Sequence, residues 1–341
     1  MKKKMLLSAF ALVAAFSLVG CGGTGDGEIG DGNLPEGMIV STGDARVVIE
    51  DDDIDTVVIG VINPTAALVP FSAASRSIDG SYLIWRGDYS VPTSDLAISP
   101  NVADMRRSQA EMEELLSRAN ATPDTKIFVY SADAMHDAGR LVWQLKILGH
   151  ENVWYIDGGI NAWHDDGHPT GNSVRLADQP VRSNYTAPNY DPESFDVTLE
   201  QVVYAFHNPE DWIIIDTRGY AEYTGDNGLS GGFGRGRIAD SVHIEWSRVL
   251  DPDTRVLLPQ EEIEDIFLDV IDGRNVIVFC QSGVRSGHTW MVLTDVLGLD
   301  NVYNYEGSWI ELSYAASSYS DFDGAHVLEI LEQWSDNNGR F

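Results

Sequence analysis

The stretch "NVIVFCQSGVRSGHTWMVLTDVLG" (275–298) decides the fold. An apolar, β-branched run ends at Cys280, and a loop of small and polar residues follows. A second apolar segment, 287–298, then resumes at helical spacing and closes on Gly298, which is placed for a left-handed cap. Strand, loop and helix in direct succession is the unit of a parallel sheet covered by helices. Ligands of such sheets bind beyond the carboxyl ends of the strands, which is where Cys280 falls.

Outward from this stretch, "DWIIID" (211–216), "SVHIEW" (241–246) and "NVYNYE" (301–306) read as further buried strands, and "LPQEEIEDIFLDVI" (258–271) as a helix. The pattern occurs twice. "LGHENVWYIDGGINAW" (148–163) and "LGLDNVYNYEGSWIEL" (297–312) align without gaps at an offset of 149, and "RSIDGSYLIW" (76–85) echoes "RIADSVHIEW" (237–246). The expectation is an α/β chain of two units, 44–172 and 196–338, each a mostly parallel central sheet with helices on both faces. A linker rich in Pro, Asn and Ser (173–195) joins them.

The first twenty residues, "MKKKMLLSAFALVAAFSLVG", set three lysines before an apolar stretch too short for a comfortable membrane span, the layout of a secretory signal. Leu18-Val19-Gly20-Cys21 resembles the bacterial lipobox. That resemblance implies lipidation of Cys21, export and membrane anchoring. Gly22 leans the destination towards the outer membrane if the cell is Gram-negative. Residues 21–43 then read as a flexible, glycine-rich and acidic tether. With Cys21 lipidated, Cys280 is the single remaining thiol, so no intramolecular disulfide forms.

The chain carries 22 basic and 53 acidic residues, a net charge of −31; without Lys2, Lys3 and Lys4 it is −34. Such a surface argues against nucleic acid, whose phosphates require a basic footprint. It also disfavours direct attraction to anionic headgroups, so any membrane link is through the lipid.

A loop running into a helix N-terminus collects anions, because backbone N–H groups converge there and the helix dipole adds positive potential. A thiol at that place ionises readily: an ordinary cysteine has a pKa of about 8.5, and a drop of two units corresponds to roughly 2.7 kcal/mol. Arg285 adds a fixed charge and Gly283 lets the backbone curl. A thiolate so placed can attack as a nucleophile and hold an anionic adduct.

In these pieces the sequence resembles the tandem-domain rhodaneses, the family of thiosulfate and 3-mercaptopyruvate sulfurtransferases. The matching segments are "IIIDTRGYAEYTG" (213–225), "GRIADSVHIEW" (236–246), "VIVFCQSGVRS" (276–286) and "VYNYEGSWIEL" (302–312), with "GHENVWYIDGGINAW" (149–163) in the first unit. The resemblance implies that Cys280 takes the outer sulfur of a small anionic donor as a persulfide, cradled by Gln281, Ser282, Gly283, Val284, Arg285 and Ser286. A thiophilic acceptor such as cyanide, sulfite or a thiol then removes it. Arg218 matches an Asp-x-Arg position that orients the loop or substrate; a structural ion pair with Asp216 or Glu222 is the competing reading. No cofactor is implied. Ser131 stands opposite Cys280 in the repeat and the first unit reads "VVIGVINP" where the second has Asp216-Thr217-Arg218, so the first unit is expected to be catalytically silent. The loop holds one basic residue where thiosulfate enzymes commonly hold two. Ser282 matches the serine of mercaptopyruvate enzymes, but "RSIDGSY" lacks the histidine that partners it there.

Two other functions stay open: a sulfur-carrier or redox partner module serving an exported protein, and a cysteine phosphatase or arsenate reductase. The last needs a longer loop than the C-x4-R found here. "HDDGH" (164–168) reads as a polar loop rather than a metal site, and "EDDDID" (50–55) as a solvated turn. "GLSGGFGRGR" (228–237) reads as a mobile rim loop whose Arg235 or Arg237 attracts anions, and Trp143, Trp163, Trp290 and Trp309 as packing residues.

Overall fold

The computed structural model describes residues 34–91, 104–132, 134–317 and 324–336. The lipobox and most of the tether, including Cys21, lie outside the described residues.

The first unit contains β1 (Ile39–Val40), α1 (Thr42–Ile49), β2 (Thr56–Val61), β3 (Tyr82–Ile84), α2 (Arg86–Tyr89), α3 (Gln109–Arg118), β4 (Lys126–Ser131), α4 (Met135–Ile147), β5 (Val153–Ile156), α5 (Gly159–Asp165) and β6 (Val174–Arg175). Its strands form one sheet in the order β1-β5-β4-β2-β3-β6, every pair parallel. The sheet is wider than expected at both ends. β1 lies within the expected tether and β6 within the expected linker; each has two residues, too few to show a strand period.

The second unit contains α6 (Leu199–Phe206), β7 (Trp212–Asp216), α7 (Tyr220–Tyr223), β8 (Gly234–Ile238), β9 (Val242–His243), α8 (Gln260–Ile271), β10 (Asn275–Phe279), α9 (Val284–Asp295), β11 (Val302–Asn304), α10 (Ser308–Ser317), α11 (Gly324–Glu329) and β12 (Leu331–Asp336). The order β11-β10-β7-β9 is again parallel throughout. Side chains of β10 are buried on both faces, which explains the unbroken apolar run 276–279. The expected mobile loop 228–237 is instead half strand: β8 pairs antiparallel with β12, and Arg237 bonds Glu332 at 2.7 Å while Arg235 Nη1 donates to the Asp226 carbonyl. Neither arginine borders the cavity at Cys280, which corrects the expectation that they attract anions there.

The units pack through equivalent helices, α4 and α9, which follow β4 and β10 respectively. They cross at positions related by the repeat, Gly139 and His288. A Cβ on Gly139 would lie 2.7 Å from His288 Cα, so the crossing admits a side chain from one helix only. One hydrophobic cluster runs from Ile127 and Val129 through Leu141, Trp143 and Trp290 to Val276 and Val278, so the core spans both units. All four tryptophans named above are buried.

Candidate active site

The polypeptide leaves β10 at Phe279 and turns through Cys280, Gln281, Ser282 and Gly283 before α9 begins at Val284. The helix therefore starts three residues earlier than its apolar period suggests, because polar Arg285 and Ser286 occupy its first turn. Gly283 has φ +73°, and a Cβ there would stand 2.5 Å from Arg140 Nη1 and 2.9 Å from the Glu306 carbonyl, so glycine is required both for the turn and for the close approach.

Three of the loop's carbonyls are engaged by groups outside it. Cys280 and Gln281 carbonyls accept from the Trp309 and Ile310 N–H groups at 3.0 Å each. The Gly283 carbonyl accepts from Asn304 Nδ2 at 3.1 Å and from Arg140 Nη1 of the first unit at 3.2 Å. Ser308 Oγ accepts from the N–H groups of Cys280 (3.1 Å) and Gly283 (3.0 Å) and donates to the Tyr305 carbonyl. Fixing these carbonyls leaves the backbone N–H groups of Ser282 and Ser286 to favour the charged form of Cys280. Ser286 Oγ, in the first turn of α9, is buried without a hydrogen-bond partner.

Burial raises the Cys280 thiol pKa, but the Arg285 charge together with the Ser286 and Ser282 bonds outweighs it, and the net displacement is below an ordinary cysteine. Arg285 does not act as a bare charge. Glu222 holds it from both sides, Nη1–Oε2 at 2.7 Å and Nη2–Oε1 at 2.9 Å.

Cys280 opens into a cavity of about 460 Å³. Gln281, Ser282, Val284 and Arg285 form its floor; Leu229, Ser230, Gly231 and Ile310 form one rim. The Gln281 amide ties that rim down by donating to the Leu229 and Ser230 carbonyls at 3.3 Å. The opposite wall comes from the first unit: Arg86, Asp104 and His136. Sequence reading missed all three. Arg86 Nε bonds Asp137 at 2.8 Å and its Nη2 lies 3.4 Å from His136 Nε2. Burial and the neighbouring arginines hold the His136 pKa well below the usual histidine range, so the ring is neutral. Ser282, which lacks a histidine partner, shares the cavity lining with Asp104.

Arg218 is not part of the cavity wall. It is buried, forked onto Asp216 (Nη2–Oδ2 2.6 Å, Nε–Oδ1 3.0 Å), donates to the Gly236 carbonyl and lies 4.3 Å over the Trp309 ring. Among the described residues no group of three or more His, Cys, Asp or Glu side chains is arranged to hold a metal ion.

A parallel α/β unit used twice, with a low-pKa thiol in a tight loop between strand and helix, defines a class. Residues 71–166 and 200–314 match the rhodanese-like domain, and the chain belongs to that family. It is 29% identical over 216 residues (60% of this chain, 73% of the relative) to the sulfur carrier protein TtuD of Thermus thermophilus. It is 26% identical over 204 residues (58% and 66%) to thiosulfate sulfurtransferase of Corynebacterium glutamicum. Among solved structures it resembles the Tum1 protein of Saccharomyces cerevisiae with a TM-score of 0.67, at 19% identity over 82% of this chain and 95% of that one. At the level of the family, then, the chain stands among the sulfurtransferases.

Proposed function

We propose that the chain moves sulfane sulfur from a low-molecular-weight donor to a thiophilic acceptor through a persulfide on Cys280. The observation that carries this is the position of Cys280 on the cavity wall at the turn from β10 into α9, where Arg285 displaces its thiol towards the thiolate. The thiolate attacks the outer sulfur of the donor, forming a new S–S bond. The donor's S–S bond breaks and its electron pair leaves with the departing sulfite or thiolate. An acceptor nucleophile then takes the outer sulfur and returns the thiolate. The Ser282 and Ser286 N–H groups bear the extra charge of the persulfide anion. The first unit, with Ser131 in place of the cysteine, forms a wall of the cavity and attacks nothing.

The test is thiocyanate formation from cyanide and a sulfane donor. Turnover in the native chain and its loss in Cys280→Ser support the reading, and undiminished turnover in Cys280→Ser would remove it. The likeness to a sulfur carrier favours a second reading, in which the persulfide passes to one protein rather than turning over with small acceptors. A phosphatase or arsenate reductase is disfavoured, because the C-x4-R loop is short and its arginine is committed to Glu222.

The N-terminal pattern supports a further element of the proposal: export, with lipid on Cys21 and the tether holding the enzyme at a membrane. Among the described residues no helix is long and apolar enough to cross one. Cys21→Ser should release the protein into the soluble fraction; retention at the membrane would contradict the anchor.

A further inference from the structure

The cations facing Cys280 are already spent on carboxylates. Arg285 is forked onto Glu222, and Arg86 is bonded to Asp137, which is fully buried. Arg140, behind the loop, is ion-paired with Glu306, which also holds Arg106. Asp104 stands apart from these pairs. It lines the cavity with Ser282, and among the described residues its carboxyl has no ion pair of its own, since Arg86 and Arg140 reach it only at longer range. Residues 92–103, which precede it outside the described residues, contain no lysine or arginine in sequence. His136, the other titratable wall residue, is neutral. On the cavity wall, Arg86 and Arg285 are thus each matched by a carboxylate behind them, and Asp104 is the carboxylate left without a paired cation.

That balance bears on the donor. Loading from thiosulfate brings a dianion against a thiolate and gathers three negative charges beside the Asp104 carboxylate, inside a chain of net charge −31. A hydropersulfide of an amine-bearing thiol, R–S–SH with an ammonium on R, brings a positive group instead. We propose that Asp104 is a specificity-determining residue that selects such aminothiol hydropersulfides over anionic sulfur donors. This rests on the Cys280 persulfide reading. The step balances: the Cys280 thiolate bonds the outer sulfur of R–S–SH, the donor's S–S bond breaks, and R–S⁻ leaves with the electron pair while Cys280–S–SH remains.

Two donors of similar length and opposite charge at the far end test it: the hydropersulfides of cysteamine and of 3-mercaptopropionate. Loading of Cys280 in the purified full chain is followed by mass over time, with thiosulfate in parallel. The cysteamine donor is expected to load about tenfold faster than the mercaptopropionate donor at low salt, with the ratio shrinking as salt is added. Asp104→Asn, which keeps the size of the side chain, should bring the ratio close to one by slowing the first donor and speeding the second. Equal rates in the native chain, or a ratio unchanged in Asp104→Asn, would overturn the role of Asp104 while leaving the persulfide intact. Should no donor load Cys280 at all, the sulfurtransferase reading falls first and this inference with it. Should Asp104→Asn fail to fold, the salt dependence of the native ratio still decides: a ratio insensitive to salt would contradict charge selection.

Discussion

Arg140 of the first unit donates from Nη1 to the carbonyl of Gly283 in the second, at 3.2 Å, and so grips the nucleophile loop from across the unit boundary. The guanidinium is fully buried and ion-paired with Glu306, and it lies 4.6 Å over the Trp143 ring. Replacing it strands Glu306, which keeps only Arg106. Arg140→Met should lower the unfolding free energy by about 3–5 kcal/mol, the range for breaking a buried ion pair from one side. Denaturant unfolding measures this, and adding Glu306→Gln should recover part of the loss. A loss under about 1 kcal/mol would mean that the loop holds itself.

Glu222 and Arg285 should move the thiol in opposite directions. Arg285 lowers the Cys280 pKa by its charge, and Glu222 offsets that charge. Arg285→Met should therefore raise the thiol pKa and Glu222→Gln lower it, with the native chain between them. Thiolate ultraviolet absorbance against pH gives the order. As a thiol is active when deprotonated, loading should set in at a higher pH in Arg285→Met and at a lower pH in Glu222→Gln.

Ser308 separates hydrogen bonding from backbone strain. Its hydroxyl satisfies two buried N–H groups of the loop, and its φ is +49°. Ser308→Ala keeps the unfavourable φ and orphans both donors, for a loss of about 2–4 kcal/mol. Ser308→Gly orphans the same donors but removes the left-handed penalty of roughly 1 kcal/mol, so it should be the more stable of the two. Both should load sulfur more slowly than the native chain. Equal stability of the two variants would show that the backbone there is unstrained.

Asp157 makes stability depend on pH. It accepts from the Leu257 N–H across the unit boundary at 3.1 Å, and burial pushes its pKa up to about 6. A carboxyl whose folded pKa exceeds its unfolded value favours the fold when protonated. Its contribution is full below the unfolded value and is lost as pH rises through about 4 to 6, so stability should fall by on the order of 2 kcal/mol over that window. Asp157→Asn should flatten this part of the stability–pH curve, measured by denaturant unfolding, while other carboxylates keep their own dependence. An unchanged slope would show that Asp157 is solvated.

The nucleophile loop was legible because it is local: an apolar strand, a glycine where φ is positive, and a helix within a dozen residues. The repeat made the two-unit architecture legible in the same way, and α4 and α9 echo each other at 149 residues. The opposite wall was not legible, because Arg86, Asp104 and His136 meet Cys280 only through packing of one unit on the other. A signal was present in "MHDAGRLVWQLKI" (135–147), where Asp137 and Arg140 are charged residues on a helix otherwise built for burial. Such residues need partners, and the partners lie at the site. β8 was missed for another reason: "GRGRI" alternates glycine with arginine, so its inward positions carry no hydrophobic period. For Arg218 the sequence left two readings open, and the structure has the ion pair with Asp216, with the guanidinium over the Trp309 ring.

The most direct measurement is the intact mass of the purified full chain after incubation with thiosulfate or a hydropersulfide, and again after cyanide. Gain of one sulfur atom, its removal by cyanide, and its absence in Cys280→Ser are the expected results. A folded chain with a titratable Cys280 thiol that gains no sulfur from any donor would contradict the persulfide at the centre of this mechanism.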